Sequence, residues 1–404
     1  MLFAQDVAAD TESTETVRVF TDCQTRCDTD HFRREIEFVH HVRDQRDADV
    51  HVLITRQNTG AGGSRYDLEF IGRRRFAGMT DTLRFVTAET DTEQEVREGL
   101  TRTLALGLVR FAASTRAGRR LRIGYDAEEE TVAEEQRTDD PWNYWVFRVS
   151  FSSFFSGETS SRFLNLFGST SASRITDASK LRLSVDGSYS ESTFDIDSTT
   201  TITSIRRSYG GRGLFVLSLS PHWSAGIQST ASSSTFRNFD LSISVTPALE
   251  YNFFPYSEST RRQFRFLYSV GLAYFDYTEE TIFDKLSETL PKHSLEIAYE
   301  VTQPWGSTDV TLIASQFLND VSKNRVTLRG DLSLRVFRGL SLNLGGRASH
   351  IADQLSLPKG DLTDEDILLR ERERATNFSY SGRIGLSYSF GSVFSNVVNP
   401  RFGR

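Results

Sequence analysis

From Trp142 to Phe390 the chain alternates apolar and polar residues, and it keeps that period of two through twelve successive segments. Only extended backbone sends successive side chains to opposite faces, so this part of the chain must be built from strands. The segments fall near 143–154, 162–175, 179–194, 200–219, 222–236, 239–254, 262–278, 292–303, 307–319, 322–337, 339–351 and 376–390. In the third, Leu181, Leu183, Val185 and Tyr189 alternate with Arg182, Ser184, Asp186 and Ser188. In the tenth, Val326, Leu328, Leu332, Leu334 and Val336 alternate with Thr327, Arg329, Asp331, Ser333 and Arg335. Tilted strands of this length cross about 25 Å of apolar height.

A soluble β-sandwich also alternates, but its inward faces must be large and apolar on both sheets. Here one face carries Arg148, Arg182, Arg206, Arg212, Arg265, Arg329, Arg335, Arg347 and Arg383, with Glu296 and Glu300 among them. One greasy face, one charged face and no Greek-key signal predict a 12-stranded antiparallel up-and-down transmembrane β-barrel over 142–390. No run of about 18 apolar residues exists to make a membrane helix. The mean hydropathy of −0.38 does not count against a barrel, because it averages a polar interior with a lipid-facing exterior. Trp142, Trp145, Trp223, Phe253, Trp305 and Phe337 sit near predicted strand ends, as interfacial girdles do. Tight connections follow the even-numbered segments, and the two longest, 279–291 and 352–375, follow odd-numbered ones. An even strand count returns both chain ends to the side of the tight turns.

The first part of the chain differs in charge and in period. Residues 1–140 hold 28 acidic residues, 20 Arg and no Lys, a net of −8, against +1 for the remainder. Val17–Phe20, Val50–Ile54, Tyr66–Arg73 and Asp81–Thr87 read as strands. His31–Arg43 and Thr92–Ala113 read as helices, the second with Thr92 and Glu95 spaced for a capping box. Leu121–Gly124 is a candidate closing strand. This predicts an α/β domain over 1–125, an acidic linker over 126–141 and a tail over 391–404. Met1–Ala4 has the form of the end of a secretory signal. Cys23 and Cys27 are disulfide candidates in an oxidising compartment; a metal set with His31 has irregular spacing, and no metal site is expected. Gly60–Gly63 lacks the G-K-[ST] of a phosphate loop and reads as a hairpin tip. Arg73–Arg75 reads as a solvated basic face, and His40–His41 as a helix face and its edge.

Two resemblances add to this. Arg383, Gly385, Tyr388 and Phe390 stand in the order polar-x-Gly-x-x-aromatic-x-aromatic, which resembles the signal that outer-membrane proteins present to the β-barrel assembly machinery. Such signals usually end the chain, whereas fourteen residues follow here. The element order of the first part is similar in topology to the amino-terminal domain of the TolB family. Together they imply the outer membrane of a Gram-negative bacterium, with the N-terminal domain in the periplasm and outer-membrane lipid around the barrel.

The functional expectation is a narrow pore or a structural, anchoring role, not an enzyme, with no cofactor. The nine arginines are the candidate lumen-binding residues. They favour anions if the lumen holds water, whereas a sealed lumen pairs Arg148, Arg182, Arg329 and Arg383 with Asp186, Glu250, Glu300 and Asp331. A second reading makes the barrel an anchor that presents its domain to a periplasmic protein or cell-wall partner. A third, an interfacial lipid hydrolase like outer-membrane phospholipase A, would need His293 or His350 beside a serine, and no spacing selects such a set. The acidic first domain argues against nucleic acid.

Overall fold

A computed structural model describes residues 16–25, 27–60, 62–113, 115–122, 124, 141–196, 199–360, 373–391 and 401. The N-terminal stub, nearly all of the acidic linker and most of the tail therefore lie outside the described residues.

The small domain is a mixed sheet in the order β2-β1-β3-β4-β5, formed by β1 (Arg18–Cys23), β2 (His40–His41), β3 (Val50–Asn58), β4 (Ser64–Gly72) and β5 (Thr80–Thr87). β1 is parallel to both neighbours, and β3, β4 and β5 are antiparallel. Helix α2 (Glu93–Ala112) starts at the expected capping box, in which Thr92 and Glu95 satisfy each other's backbone N–H groups. Its Leu100, Leu104, Leu108 and Phe111 pack on Val50, Val52, Ile54, Leu68 and Phe70. Gly107 permits the contact, since a Cβ there would lie 2.0 Å from the Phe70 ring.

Two expectations for this domain are corrected. The first helix, α1 (Thr29–Glu35), stops well short of Arg43. Its apolar stripe is still buried at Phe32, Ile36 and Val39, but His40 and Val42 donate their backbone N–H groups to Val17 and Val19 of the β1 edge, both at 2.8 Å. Those donors are lost to a helix, so His40–His41 is an edge strand rather than a helix face. At the other end, Gly118–Arg120 forms a single 3-10 turn, and no closing strand forms among the described residues at 121–124.

The remainder is one antiparallel sheet of twelve strands in sequence order. These are β6 (Trp145–Gly157), β7 (Ser161–Ile175), β8 (Ser179–Asp195), β9 (Thr201–Ser218), β10 (Trp223–Ser234) and β11 (Phe239–Asn252), followed by β12 (Arg262–Tyr277), β13 (Ser287–Gln303), β14 (Gly306–Phe317), β15 (Asp320–Phe337), β16 (Leu340–Ile351) and β17 (Phe378–Tyr388). The segments read from the period match these strands closely. β13 begins earlier than expected, at Ser287, and takes in Pro291. That residue offers no N–H, but its carbonyl accepts from Leu318 N at 2.8 Å.

The sheet is curved with its polar face inward. Lys180 on β8 comes within electrostatic reach of Glu250 on β11 and Arg265 on β12, which a flat sheet would hold too far apart. Small polar residues on that face are covered while large apolar ones on the other are bare: Ser244 is 8% exposed and Val245 45%. Closure differs from the expectation. Among the described residues β6 pairs only with β7 and β17 only with β16, so the sheet is open along one seam. The outer residues of these two edge strands, such as Val149 and Ile384, are correspondingly the barest of all. No helix is long and apolar enough to cross a membrane, which says nothing of strands.

Candidate functional site

The small domain lies across one end of the curved sheet, the end that carries the tight connections. Its helices cover one face of its own sheet. The other face, with Phe20, Asp22, His51 and Glu69, turns toward the large sheet. The contact is made largely by domain carboxylates on arginines of the large sheet: Asp22 on Arg335, Glu69 on Arg261, Glu89 on Arg148, and Asp47 on Arg338 at 2.6 Å. Asp44 accepts from Gly339 N at 2.7 Å, and Arg43 donates to the carbonyl of Phe390 at 3.0 Å. Gly60, at the β3–β4 hairpin tip expected from the sequence, lies against Ile175. The ion pairs thus set carboxylates of the first part against arginines of the second, while the acidic excess itself falls at 1–15 and 125–140, outside the described residues. Glu89 and Arg43 also reach the two sides of the seam, one at β6 and the other just past β17.

The centre of this junction is a triad. Asp22 is 2% exposed and His51 fully buried, with His51 Nε2 3.2 Å from Asp22 Oδ2. Arg335 reaches both carboxylate oxygens of Asp22 through its two terminal nitrogens, and its guanidinium carbon stands 5.3 Å from the Phe20 ring centroid. Burial raises the Asp22 carboxyl, but hydrogen bonds from His51 and Arg335 outweigh it and hold Asp22 below the usual carboxylate range. Burial lowers His51 despite the pull of Asp22, so at neutral pH the triad is a neutral imidazole beside a charged carboxylate–guanidinium pair. No spacing in the sequence announced it, since its members are Asp22, His51 and Arg335, 313 residues apart at the extremes.

The pairing registers place all nine candidate arginines on the inner face. Five are paired. Besides Arg148 and Arg335, Arg212 meets Asp186 at 3.2 Å, Arg383 meets Asp331 at 3.4 Å, and Arg265 bridges Glu296 at 2.6 Å and Glu250 at 3.6 Å. Glu250 also accepts from Tyr256 Oη at 2.8 Å. Arg182, Arg206, Arg329 and Arg347 form no ion pair with a carboxylate among the described residues, and Arg329 and Arg347 stand directly opposite each other. The interior is therefore largely, but not wholly, self-neutralised.

The opposite end is covered by the chain's own loops. The segment after β16 crosses the interior toward β11, where Asn238 Nδ2 donates to the carbonyls of Glu279 and Ser356 at 2.9 and 3.0 Å. Ile282 N donates to Leu357 O at 2.9 Å, and Leu355 and Leu357 are buried beneath.

Other candidates fall as follows. Cys23 and Cys27 form a disulfide, with 6.3 Å between their Cα atoms. Of the assembly-signal residues, Arg383 and Gly385 face inward while Tyr388 and Phe390 are exposed outward. His293 sits on the outer face with its Nδ1 3.2 Å from Tyr268 Oη rather than beside a serine, and His222 Nδ1 binds the Asn252 carbonyl at 2.8 Å. His350 lies opposite Val326 and Phe378 on the outer face. No group of His, Cys, Asp and Glu among the described residues could hold a metal. Set against models of known protein families and against curated proteins, the chain matches none.

Proposed function

We propose that the chain is an outer-membrane β-barrel anchor of a Gram-negative bacterium that holds its N-terminal domain at the periplasmic surface. The observation that carries this is the partition of side chains along the large sheet, with most large apolar residues bare on the convex face and mostly polar residues on the concave one, apart from residues such as Phe154 and Phe167. In water such a surface would aggregate, whereas lipid solvates it. Trp142, Tyr144, Phe253, Trp305 and Phe337 are exposed around the domain end, where an interfacial girdle belongs. In the membrane β6 and β17 meet: an even number of strands makes them antiparallel, the sense closure requires, and lipid tolerates no open edge. Both ends are covered, which suits an anchor better than an open channel. The domain's helical side faces away from the barrel and carries a groove of about 630 Å³ between α1 and α2, open to a periplasmic protein or cell-wall partner.

A narrow anion-preferring pore is the second reading. It is favoured by Arg329 and Arg347, because like charges directly opposite in a sheet destabilise it unless something between them is negative. Conductance of the full chain in planar bilayers separates the two. Silence supports the anchor, and steps with a reversal potential toward the anion support the pore. The protein staying soluble and monomeric without detergent would sink both.

A further inference from the structure

Near the loop end the inner face encloses a cavity of about 290 Å³, bounded by strands β10 to β15 and by Asp353 of the crossing segment. Much of its wall is hydroxyl and amide, including Thr230, Thr246, Ser269, Ser294, Ser315 and Gln228, with the Phe317 ring as an apolar side. Several hydroxyls are held in pairs, Ser269 with Ser294 at 2.8 Å and Thr230 with Ser244 at 2.9 Å. Lys292 projects from β13 on this face, between Gly271 of β12, against which the Val245 carbonyl and Thr246 of β11 pack closely, and Phe317 of β14.

Among the described residues Lys292 shares the lack of an ion pair with Arg182, Arg206, Arg329 and Arg347, but none of those arginines lines this cavity. Arg212, Arg265 and Arg383 each meet a carboxylate, whereas Lys292 has no ion pair or hydrogen bond among the described residues. The one carboxylate on the rim, Asp353, is already held by Arg325 at 2.8 Å. The second lysine there, Lys323, has its ammonium 3.9 Å from the Phe283 ring centroid, which adds no negative charge. A half-buried ammonium without a counter-charge is costly, and the same enclosure makes an incoming anion bind more strongly than it would in water. Hydroxyls fixed around it can donate to and accept from a ligand's own hydroxyls. The volume lies at the small end of ligand sites, which run from about 300 to 1,000 Å³.

We propose that this cavity binds a small hydroxyl-rich organic anion of the sugar-acid type, its carboxylate on Lys292 and its hydroxyls on the serine and threonine wall. The site needs only the curved sheet and its crossing segment, so it stands or falls separately from bilayer insertion. The test is calorimetric titration of the folded full-length protein in detergent with gluconate, with neutral sorbitol and with inorganic phosphate. Gluconate should bind, sorbitol should bind at least about tenfold more weakly, and Lys292→Gln should lose at least about tenfold while Lys292→Arg keeps part of the affinity. If phosphate binds as tightly as gluconate, the hydroxyl-rich assignment is wrong. If gluconate does not bind, or binds Lys292→Gln equally well, the site itself is wrong. Should the variants not fold, acetylation of the wild-type protein decides: gluconate must slow modification of Lys292 several-fold relative to the loop residue Lys285, and equal rates overturn the proposal.

Discussion

Replacing Arg335 by methionine removes the one partner from the large sheet at the buried triad and leaves most of the side-chain volume. In the wild type Asp22 is 2% exposed and receives Arg335 on both oxygens, His51 on one and Gln24 Nε2 on the other at 2.7 Å. Without the guanidinium, a buried carboxylate keeps only the neutral donors of His51 and Gln24 and no counter-charge, and breaking a buried pair from one side costs about 3–5 kcal/mol. The Arg148–Glu89 and Arg338–Asp47 pairs are partly exposed and screened, each worth about 0–1 kcal/mol, and they and Arg261–Glu69 are present in both proteins, so none replaces the lost partner of Asp22. At about 3 kcal/mol the equilibrium between docked and undocked domain shifts roughly 150-fold. Hydrogen exchange of the full chain in detergent reads this directly: β1 and β3 amides facing the junction should lose protection in Arg335→Met, while the helical side keeps it. The double variant Asp22→Asn with Arg335→Met should recover most of the loss, since it strands no charge. Unchanged protection in Arg335→Met, or a double variant as open as the single one, would refute the latch.

Acid should loosen the small domain before it protonates the carboxylates. Burial pushes His41 down to about 4, so the unfolded chain takes up its proton first, near 6.5. Its contribution is complete above about 6.5 and is lost as pH falls toward 4, roughly 3 kcal/mol in all, with His51 acting in the same direction. Urea midpoints of the domain transition should therefore fall between pH 7 and 4, and a flat profile would count against buried neutral histidines. Gly107→Ala should destabilise the domain by about 1–3 kcal/mol, because its Cβ meets the Phe70 ring; an unchanged urea midpoint would show that α2 is not so close. Reducing the Cys23–Cys27 bond should cost about 2 kcal/mol for so short a loop, seen as a lower urea midpoint in reductant.

The strands of the large sheet could be read from the sequence because each is two-faced. Leu328 and Arg329 declare opposite faces by chemistry alone, and the pairing of β15 with β16 keeps that assignment. The small domain was harder to read where local pattern and tertiary pairing disagree. Phe32, Ile36 and Val39 have helical spacing, yet the β1 edge claims the backbone at His40 and Val42. Two things left no local trace. The junction triad joins residues 22, 51 and 335, so nothing near any one of them signals the others. The lone Lys292 is recognisable only by what fails to surround it, which periodicity does not record.

The central claim is that the convex apolar face meets lipid and the concave polar face does not. Single spin labels placed in turn at positions 241 to 249 of β11, in protein reconstituted into bilayers, test it most directly. Accessibility to oxygen should peak at 241, 243, 245 and 249, with contact to a polar nickel chelate low at those positions, repeating with a period of two. A profile without that period, or with oxygen favouring Ser242, Ser244 and Thr246, would contradict the account.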